Sequence, residues 1–422
     1  MLEDSLQCRA ERIMINKANN YGKFILLWAG ELISQIGGGL SSFGLGVYVF
    51  KQTGRASDMA LITLFGFLPS LLLSAPAGVL ADKYDRRLLM MIGDGCSGAG
   101  VVFILFCMIN GGATLIQICI GVFISSIFAS LLEPSYRATI TDLLTKEEFS
   151  KASGLVSLAG SAKYLFSPII AGFLLSISDV KLLLLIDICT FFLTVLSTAV
   201  VRRNIDNKKT EIRDRFSIRL KEGWQAVYER KGVFMLIMVT SVITLFMGVF
   251  QVLAAPAILS FSDSNTMGFT ETICACGMLV SGMILGIWGI KRQFIKILSI
   301  SLALAGVFMV GFSAFESIPW MCVFGFLFFA ALPFANNCLD YLARTNIPDE
   351  FQGRAWGLIG FLSQLGYLAA YAVSGLAADF LGALSGRGVG RGSAMIIGIS
   401  GICLIGIAVS IPMIKRIRNL DR

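Results

Sequence analysis

The 422-residue sequence contains no histidine. This absence excludes histidine-based catalysis, histidine metal ligands and histidine proton relays, so any proton chemistry must use carboxylates. Charged residues are also scarce, at 15% of the chain, where proteins in water carry about a quarter. With 56% hydrophobic residues, the composition excludes an ordinary soluble domain and predicts a membrane protein.

Cysteine spacing that would hold a metal is absent as well. Almost all of the ten cysteines lie in apolar runs, where cysteine acts as a small hydrophobic residue. Cys274 and Cys276 are two positions apart, which suits neither a disulfide nor a metal pair. We therefore expect no metal and no cofactor. Residues 1–20 lack the apolar stretch of a cleavable signal peptide, so we expect the first apolar run to direct insertion.

Twelve apolar runs occupy nearly the whole chain, and each is about as long as the roughly 20 residues that a spanning helix needs. The longest polar separator divides them into two sets of six. We therefore predict an all-α membrane protein with one six-helix bundle at 1–201, a cytoplasmic linker at 202–231 and a second bundle at 232–422. The runs are 24–50, 57–81, 88–110, 113–134, 152–177, 182–201, 233–260, 268–290, 294–314, 318–343, 355–381 and 392–414.

Lysine and arginine are unevenly distributed between the two sides of these helices. The connections between helices are assigned alternately to the two sides of the membrane. One side then holds nearly all of the lysines and arginines, and we call it the basic side. Basic connections stay in the cytoplasm, so we predict a bacterial-type cell membrane with both termini cytoplasmic. The net charge of +8 then reflects membrane orientation and not nucleic-acid binding. The basic residues of the opposite side are Lys51, Arg55, Lys181, Arg387 and Arg391.

The linker contains apolar residues at helical spacing. Phe216, Leu220, Trp224, Val227 and Tyr228 recur between charged residues. This pattern favours an amphipathic helix lying on the inner membrane surface, with a solvated tether as the alternative.

The two predicted bundles resemble each other in sequence. TKEEFSKASGLVSLAG, residues 145–160, is similar to IPDEFQGRAWGLIGFLSQLG, residues 347–366, with a one-residue gap. Both lie between the fourth and fifth helix of their own set. This indicates two parallel six-helix repeats, an arrangement found in membrane transporters.

The stretch GVLADKYDRR, residues 78–87, concentrates charge between two apolar runs. Its Gly78, Asp82, Arg86 and Arg87 resemble the loop signature between helices two and three of the major facilitator superfamily, with Asp85 where glycine is common. The resemblance implies the twelve-helix fold of that family and a cytoplasmic gate that controls switching. Gly78 would allow close helix approach, Asp82 would face a helix N-terminus and the arginines would offer forked donors. Simple basic anchoring is the alternative.

A second motif lies in the fifth run. SPIIAG, residues 167–172, together with Gly160, resembles a degenerate form of the family's helix-five antiporter motif, which is associated with exporters. Gly160, Pro168 and Gly172 carry it, and an ordinary proline-kinked helix is the alternative. Across the chain, stretches such as LLWAGELISQIGGG (26–39) and LLEPSYRATITDLL (131–144) are similar to macrolide-efflux-type drug exporters of this superfamily.

Ionisable residues inside spanning helices cost several kcal/mol unless they are paired or wetted, so each is a candidate functional residue. We expect Glu31 and Lys163 to face each other, and those two with Asp187 to bind the coupling proton or a cation. A structural ion pair or a packing role is the alternative. Gate or rim roles are expected for Asp94, Glu133, Asp340 and Arg344. Candidate cavity-lining residues are Gln35, Gln251, Asn336 and Asn337.

These observations predict a secondary active exporter and not an enzyme. No nucleotide-binding phosphate loop is found in the sequence, which argues against ATP as the energy source. We expect a monomer that exchanges protons for amphiphilic molecules, including cationic macrolide-like drugs, by alternating access within membrane lipid. Alternatives are export of a native metabolite such as a siderophore, lysolipid transport, a non-transporting receptor or scaffold and, most remotely, a membrane enzyme.

Overall fold

The computed structural model describes residues 21–145, 148–202, 231–347 and 349–421. Within these residues, twelve helices are long and apolar enough to cross a membrane. The prediction of an all-α protein with twelve spans is therefore confirmed. The proposed amphipathic helix of the linker, residues 216–228, lies outside the described residues.

The helices follow the apolar runs, with short connections between them. The fourth and fifth spans each consist of two helical segments, and a short helix, α13, follows the last span. Their bounds are α1 Tyr21–Thr53, α2 Ala56–Lys83, α3 Arg86–Ile109, α4 Leu115–Ala129 and Leu132–Leu143, α5 Phe149–Leu165 and Ser167–Ile177, α6 Val180–Arg202, α7 Lys231–Leu259, α8 Ser264–Trp288, α9 Phe294–Ala314, α10 Ile318–Thr345, α11 Asp349–Ser385, α12 Gly388–Ser410 and α13 Lys415–Arg418.

Several helix starts are set by local side chains. Thr114 and Gln117 form a reciprocal capping box at the start of α4, which satisfies amides that the helix itself leaves open. Asp263 accepts from the Thr266 amide at 2.8 Å at the start of α8. The hydrogen bonds from Thr266 hold the pKa of Asp263 below its usual range.

Contacts divide the chain into two compact units. The first contains the described residues of Met1–Gly44, Leu72–Ser167 and Ser178–Ile212, and the second contains those of Leu45–Leu71, Pro168–Ile177 and Arg213–Arg422. The second unit therefore includes segments of α1, α2 and α5 besides the helices of the second repeat.

Small residues let the helices approach closely in both units. In the first unit, a side chain at Gly100 of α3 would collide with the backbone of α4 at Gly121. In the second, a side chain at Gly277 of α8 would collide with the Phe326 carbonyl of α10. Close packing of this kind supports helix association where lipid removes the hydrophobic drive between helices.

Many large apolar side chains remain exposed on the helices. Phe106, Phe192, Ile287 and Phe380 are all more than 60% exposed. An exposed apolar surface of this extent belongs against lipid, as expected for a multi-pass membrane protein.

The N-terminus of α2 is capped by a residue more than 300 positions away. In the second unit, the Asp379 carboxylate of α11 accepts hydrogen bonds from the amides of Ala56 at 2.8 Å and Ser57 at 3.1 Å. The Arg55 guanidinium lies 3.8 Å from the same carboxylate. The first amides of a helix have no partner within the helix, and a negative charge at this end is favourable.

We predict that Asp379→Ala lowers the thermal stability of the purified protein. The loss of a helix cap costs about 1 kcal/mol, which corresponds to a fall in Tm of roughly 2 °C. Asp379→Asn keeps an acceptor oxygen and should lie between the two. The measurement is the melting temperature by size-exclusion chromatography after heating. Equal melting temperatures for all three proteins would contradict the capping role.

Candidate functional site

In the first unit, charged residues cluster where α2, α3, α4 and α6 end on the basic side. Asp85 begins α3 by accepting from the Arg87 amide at 3.1 Å, and it also accepts from Arg202 of α6 at 2.8 Å. Arg86 donates to Asp142 of α4 at 2.8 Å, and Arg87 lies 3.9 Å from Asp142. We call Asp85, Arg86, Arg87, Asp142 and Arg202 the rim cluster.

Two residues of the loop motif differ from expectation. The carboxylate that starts a helix belongs to Asp85, whereas Asp82 is exposed and makes no hydrogen bond or ion pair with a described residue. The close helix approach expected at Gly78 is not found, since an added side-chain carbon there would meet nothing within 4 Å. An aspartate at the position where the family often has glycine thus takes over the capping role.

Glu31 of α1 lies inside the first unit with a neutral partner. Its carboxylate accepts from Gln35, one turn further along α1, at 2.7 Å. The charge of Glu133 acts on it from α4, although Glu133 itself is exposed and pairs with Arg137 at 2.8 Å. Glu31 therefore remains available to a proton or to the positive group of a ligand.

The surroundings of Lys163 include Asp187, a neighbour that the sequence did not predict. Asp187 of α6 is 1% exposed, and the charge of Lys163 acts on it from α5. Gly37 and Gly39 of α1 make room for this arrangement, because a side chain at Gly37 would contact Asp187 and one at Gly39 would contact Lys163. Lys163 is thus a positive charge that acts on the buried Asp187.

Asp94 of α3 stands apart from the rim cluster to which it was assigned. It is fully buried at 0% exposure, and neither carboxylate oxygen has a hydrogen-bond partner among the described residues. The ion pairs of the rim cluster are made by Asp85 and Asp142 instead.

The helix-five motif lies at a break in α5. The helix is interrupted at Phe166, and Pro168 and Gly172 follow in the second unit. There Gly172 packs against the Ser264 carbonyl at the start of α8, and Gly268 of α8 packs against the Pro168 carbonyl. Gly160 is exposed, with open space beside it. Two of the three motif residues therefore support close packing of α5 on α8.

In the second unit, α10 carries an exposed polar stripe. Asn336, Asn337, Asp340 and Arg344 are all exposed and lie within a little over two helical turns. The charge of Arg344 acts on Asp340. Because polar side chains exposed to lipid are costly, this stripe is expected to face water.

Gln251 of α7 is also exposed, and it accepts from the buried Tyr371 of α11 at 2.8 Å. Phe67 of α2 packs edge-on against Tyr371 with ring centroids 5.3 Å apart. These residues join a polar group to aromatic surface, a combination that suits an amphiphilic ligand.

The sequence reasoning missed several charged residues. Asp142 and Asp379 were overlooked because each lies near a helix end and gains its role only from a partner in another helix. Glu271 could have been found, since it interrupts the eighth apolar run. Glu271 is only partly accessible and has no hydrogen-bond or ionic partner among the described residues.

No group of three or more cysteine, aspartate or glutamate residues is placed to hold a metal ion in the described part of the chain. The site in each unit therefore consists of carboxylates, amides and basic groups. Such groups can bind protons, cations and amphiphiles.

Comparison of the sequence with known proteins finds membrane transporters. A family model described as Major Facilitator Superfamily matches residues 27–371. Macrolide efflux protein A of Streptococcus pyogenes is 28% identical over 424 residues, covering 96% of this chain and 100% of that protein. The staphyloferrin A transporter of Staphylococcus aureus is 26% identical over 179 residues, covering 42% of this chain and 43% of that protein.

Solved structures with low sequence identity share the fold. The POT family transporter PepTSo has a TM-score of 0.73 at 11% identity, covering 94% of this chain and 98% of that chain. An inward-facing bacterial homologue of the iron transporter ferroportin has a TM-score of 0.70 at 14% identity, covering 92% and 99%.

We predict that Asp85→Ala destabilises the protein, because it removes both the cap of α3 and the partner of Arg202. The expected cost is about 1–2 kcal/mol for the cap, with a smaller part from the partly exposed ion pair. Asp82→Ala is the matched control and should melt within about 1 °C of the wild type. Melting of the purified proteins measures both, and an Asp82 variant as unstable as the Asp85 variant would refute the assignment.

Proposed function

Because the chain belongs to the Major Facilitator Superfamily, we propose that this multi-pass membrane transporter is a secondary active exporter of amphiphilic compounds. Its substrates include cationic, macrolide-like drugs. Transport proceeds by alternating access in the cytoplasmic membrane of a bacterial cell, with both termini inside. Inward movement of protons drives outward movement of substrate.

The observation that carries this proposal is the setting of Glu31. Its carboxylate lies in a membrane-spanning helix, is partly accessible, and has the neutral Gln35 as its hydrogen-bond partner. A carboxylate without a cation in such a place favours binding of a proton or of a ligand's positive group. Because the two compete for one carboxylate, binding of either promotes release of the other.

Asp187 and Lys163 are proposed to assist this exchange. Asp187 is buried, and the charge of the partly buried Lys163 acts on it within the same unit as Glu31. Removing one partner of a buried pair leaves an uncompensated charge, which is strongly unfavourable. We therefore expect a change in the charge of Glu31 to alter the electrostatic balance at Asp187 and Lys163.

The substrate class rests on the second unit and on the relatives. Exposed Gln251 beside Tyr371 and Phe67, with the polar stripe of α10, offers aromatic and polar surface together. The similarity to macrolide efflux protein A over 96% of the chain favours macrolides. The partial similarity to a staphyloferrin A transporter makes siderophore export the second candidate.

The rim cluster is proposed to act in switching and not in substrate recognition. Its ion pairs join α3, α4 and α6 at the basic side. Asp82, exposed in this conformation, remains a candidate for contacts made in another conformation.

The proposal is tested by accumulation of labelled erythromycin in cells with and without the protein. Cells that contain the protein should accumulate several-fold less erythromycin, and an uncoupler that collapses the proton gradient should remove the difference. The same assay with a labelled siderophore distinguishes the second candidate. Binding of erythromycin by purified protein without any change in cellular accumulation would indicate a receptor and overturn the proposal.

We predict that Glu31→Gln removes the pH dependence of erythromycin binding. In the wild type, affinity should weaken as pH falls, because protons and the drug's amine compete for the ionised carboxylate. The variant should bind about tenfold or more weakly at neutral pH, since a bond to a charged group contributes about 1.5–3 kcal/mol, and its affinity should not vary with pH. A neutral macrolide derivative should be affected less.

The matched control is Glu316→Gln, which changes an exposed glutamate in the connection between α9 and α10. It should bind erythromycin as the wild type does. Isothermal titration between about pH 5 and pH 7 measures all three proteins, and unchanged pH dependence in the Glu31 variant would rule out the proposed competition.

A further inference from the structure

Asp94 is the most deeply buried acid whose role the proposed function does not use. It lies one turn before Ser97 on the buried face of α3, with 0% of its surface exposed. Both of its oxygens lack a hydrogen-bond partner among the described residues. An ionised carboxylate in such a place costs many kcal/mol, whereas a bound proton removes the charge and most of that cost.

Among the described residues, the charges that act on Asp94 are negative. The charges of Glu31 from α1 and of Asp187 from α6 both act on it, and both are acidic. On its own helix, Arg87 lies two turns away and is drawn toward Asp142. Lys163 acts on Asp187.

A second unpartnered polar group lies near the same acids. Tyr136 of α4 is 4% exposed, and its hydroxyl has no hydrogen-bond partner among the described residues. The charge of Glu31 acts on it, and Glu133, another acid of the same segment, pairs with Arg137 at the surface. Two buried polar groups from different helices, both near Glu31, are thus left without partners, which is uncommon in folded proteins.

We propose that Asp94 is a proton-binding residue that exchanges a proton with Glu31. This inference deepens the proposed function and rests on it. The proton leaves the carboxylic acid of one residue, breaking its O–H bond, and forms an O–H bond with the carboxylate of the other, directly or through a water molecule. No electron transfer is involved, and the total charge of the two acids is unchanged.

Glu31 and Asp94 differ in their exposure to solvent, so each has a different role in the exchange. Glu31 is partly accessible and meets the substrate, while Asp94 is sealed from solvent. When a cationic substrate keeps Glu31 ionised, Asp94 retains a proton. Because several neighbouring acids cannot all be ionised cheaply, loss of the Asp94 proton is linked to protonation of Glu31.

A purely structural role predicts something different. A carboxylate that holds the fold together should accept hydrogen bonds or pair with a cation, as Asp85 and Asp142 do in the rim cluster. Asp142 is therefore the matched control. It is an aspartate of the same unit that is already neutralised by arginine.

The test uses the purified full-length chain in lipid nanodiscs. Infrared spectroscopy at neutral pH should show a carboxylic-acid C=O band that decreases in Asp94→Asn and persists in Asp142→Asn. Addition of erythromycin to weakly buffered protein should release protons. Because the Glu31 proton can no longer pass to Asp94, Asp94→Asn should release at least as many per bound drug. Its erythromycin affinity at one pH should stay within about threefold of the wild type.

Labelling of the wild type with dicyclohexylcarbodiimide keeps the test independent of whether the Asp94 variant folds. This reagent attacks protonated carboxyl groups in apolar surroundings, and mass spectrometry should find it on Asp94, with less at higher pH. An unlabelled Asp94, or an infrared band unchanged in the variant, overturns the inference. A wild type that releases no proton on binding erythromycin overturns the proposed coupling instead, while the infrared band still decides whether Asp94 carries a proton.

Discussion

The cost of placing charge in hydrocarbon governs this molecule more than any other constraint. An unpaired charge in a spanning helix costs several kcal/mol, and the described spans contain Glu31, Asp94, Lys163, Asp187 and Glu271. In the first unit the charge of Lys163 acts on Asp187, and Glu31 has an amide partner. Asp94 has no hydrogen-bond partner among the described residues.

The same constraint explains the distribution of ion pairs. Three ion pairs of the first unit lie at helix ends, where Arg86, Arg87 and Arg202 meet Asp85 and Asp142. In each of these pairs one partner is 39% exposed, so the pairs add little to stability on their own. They join α3, α4 and α6 in one arrangement.

Sequence patterns were sufficient to predict the spans and the twelve-helix fold. Length and hydropathy determine a spanning helix almost by themselves, and the apolar runs match the observed helices within a few residues at most ends. The interior breaks of α4 and α5 could not be located in the same way. Phe166 interrupts α5 within a continuous apolar run, one residue earlier than the Ser167–Pro168 pair suggests.

Site residues were harder to predict, for a physical reason. The sequence shows which residues are charged inside a span, but not which helices meet. Lys163 was expected beside Glu31, since both lie at similar depth, and the structure adds that its charge acts on Asp187. Gly37 and Gly39 of α1 leave room for both side chains. Asp82 and Asp85 are both acidic, and only the local backbone decides that Asp85 starts the helix.

The cap on α2 has a consequence for how the chain is made. The amides of Ala56 and Ser57 find their acceptor in Asp379, which is synthesised 323 residues after Ala56. At a synthesis rate of about 5–20 residues per second, that interval is roughly 16–65 s. During it, the end of α2 has no Asp379 to bind and must rely on water or lipid headgroups at the membrane surface. The contact between α2 and α11 is therefore among the last to form, and a ribosome that stalls before α11 leaves this end of α2 open to other partners.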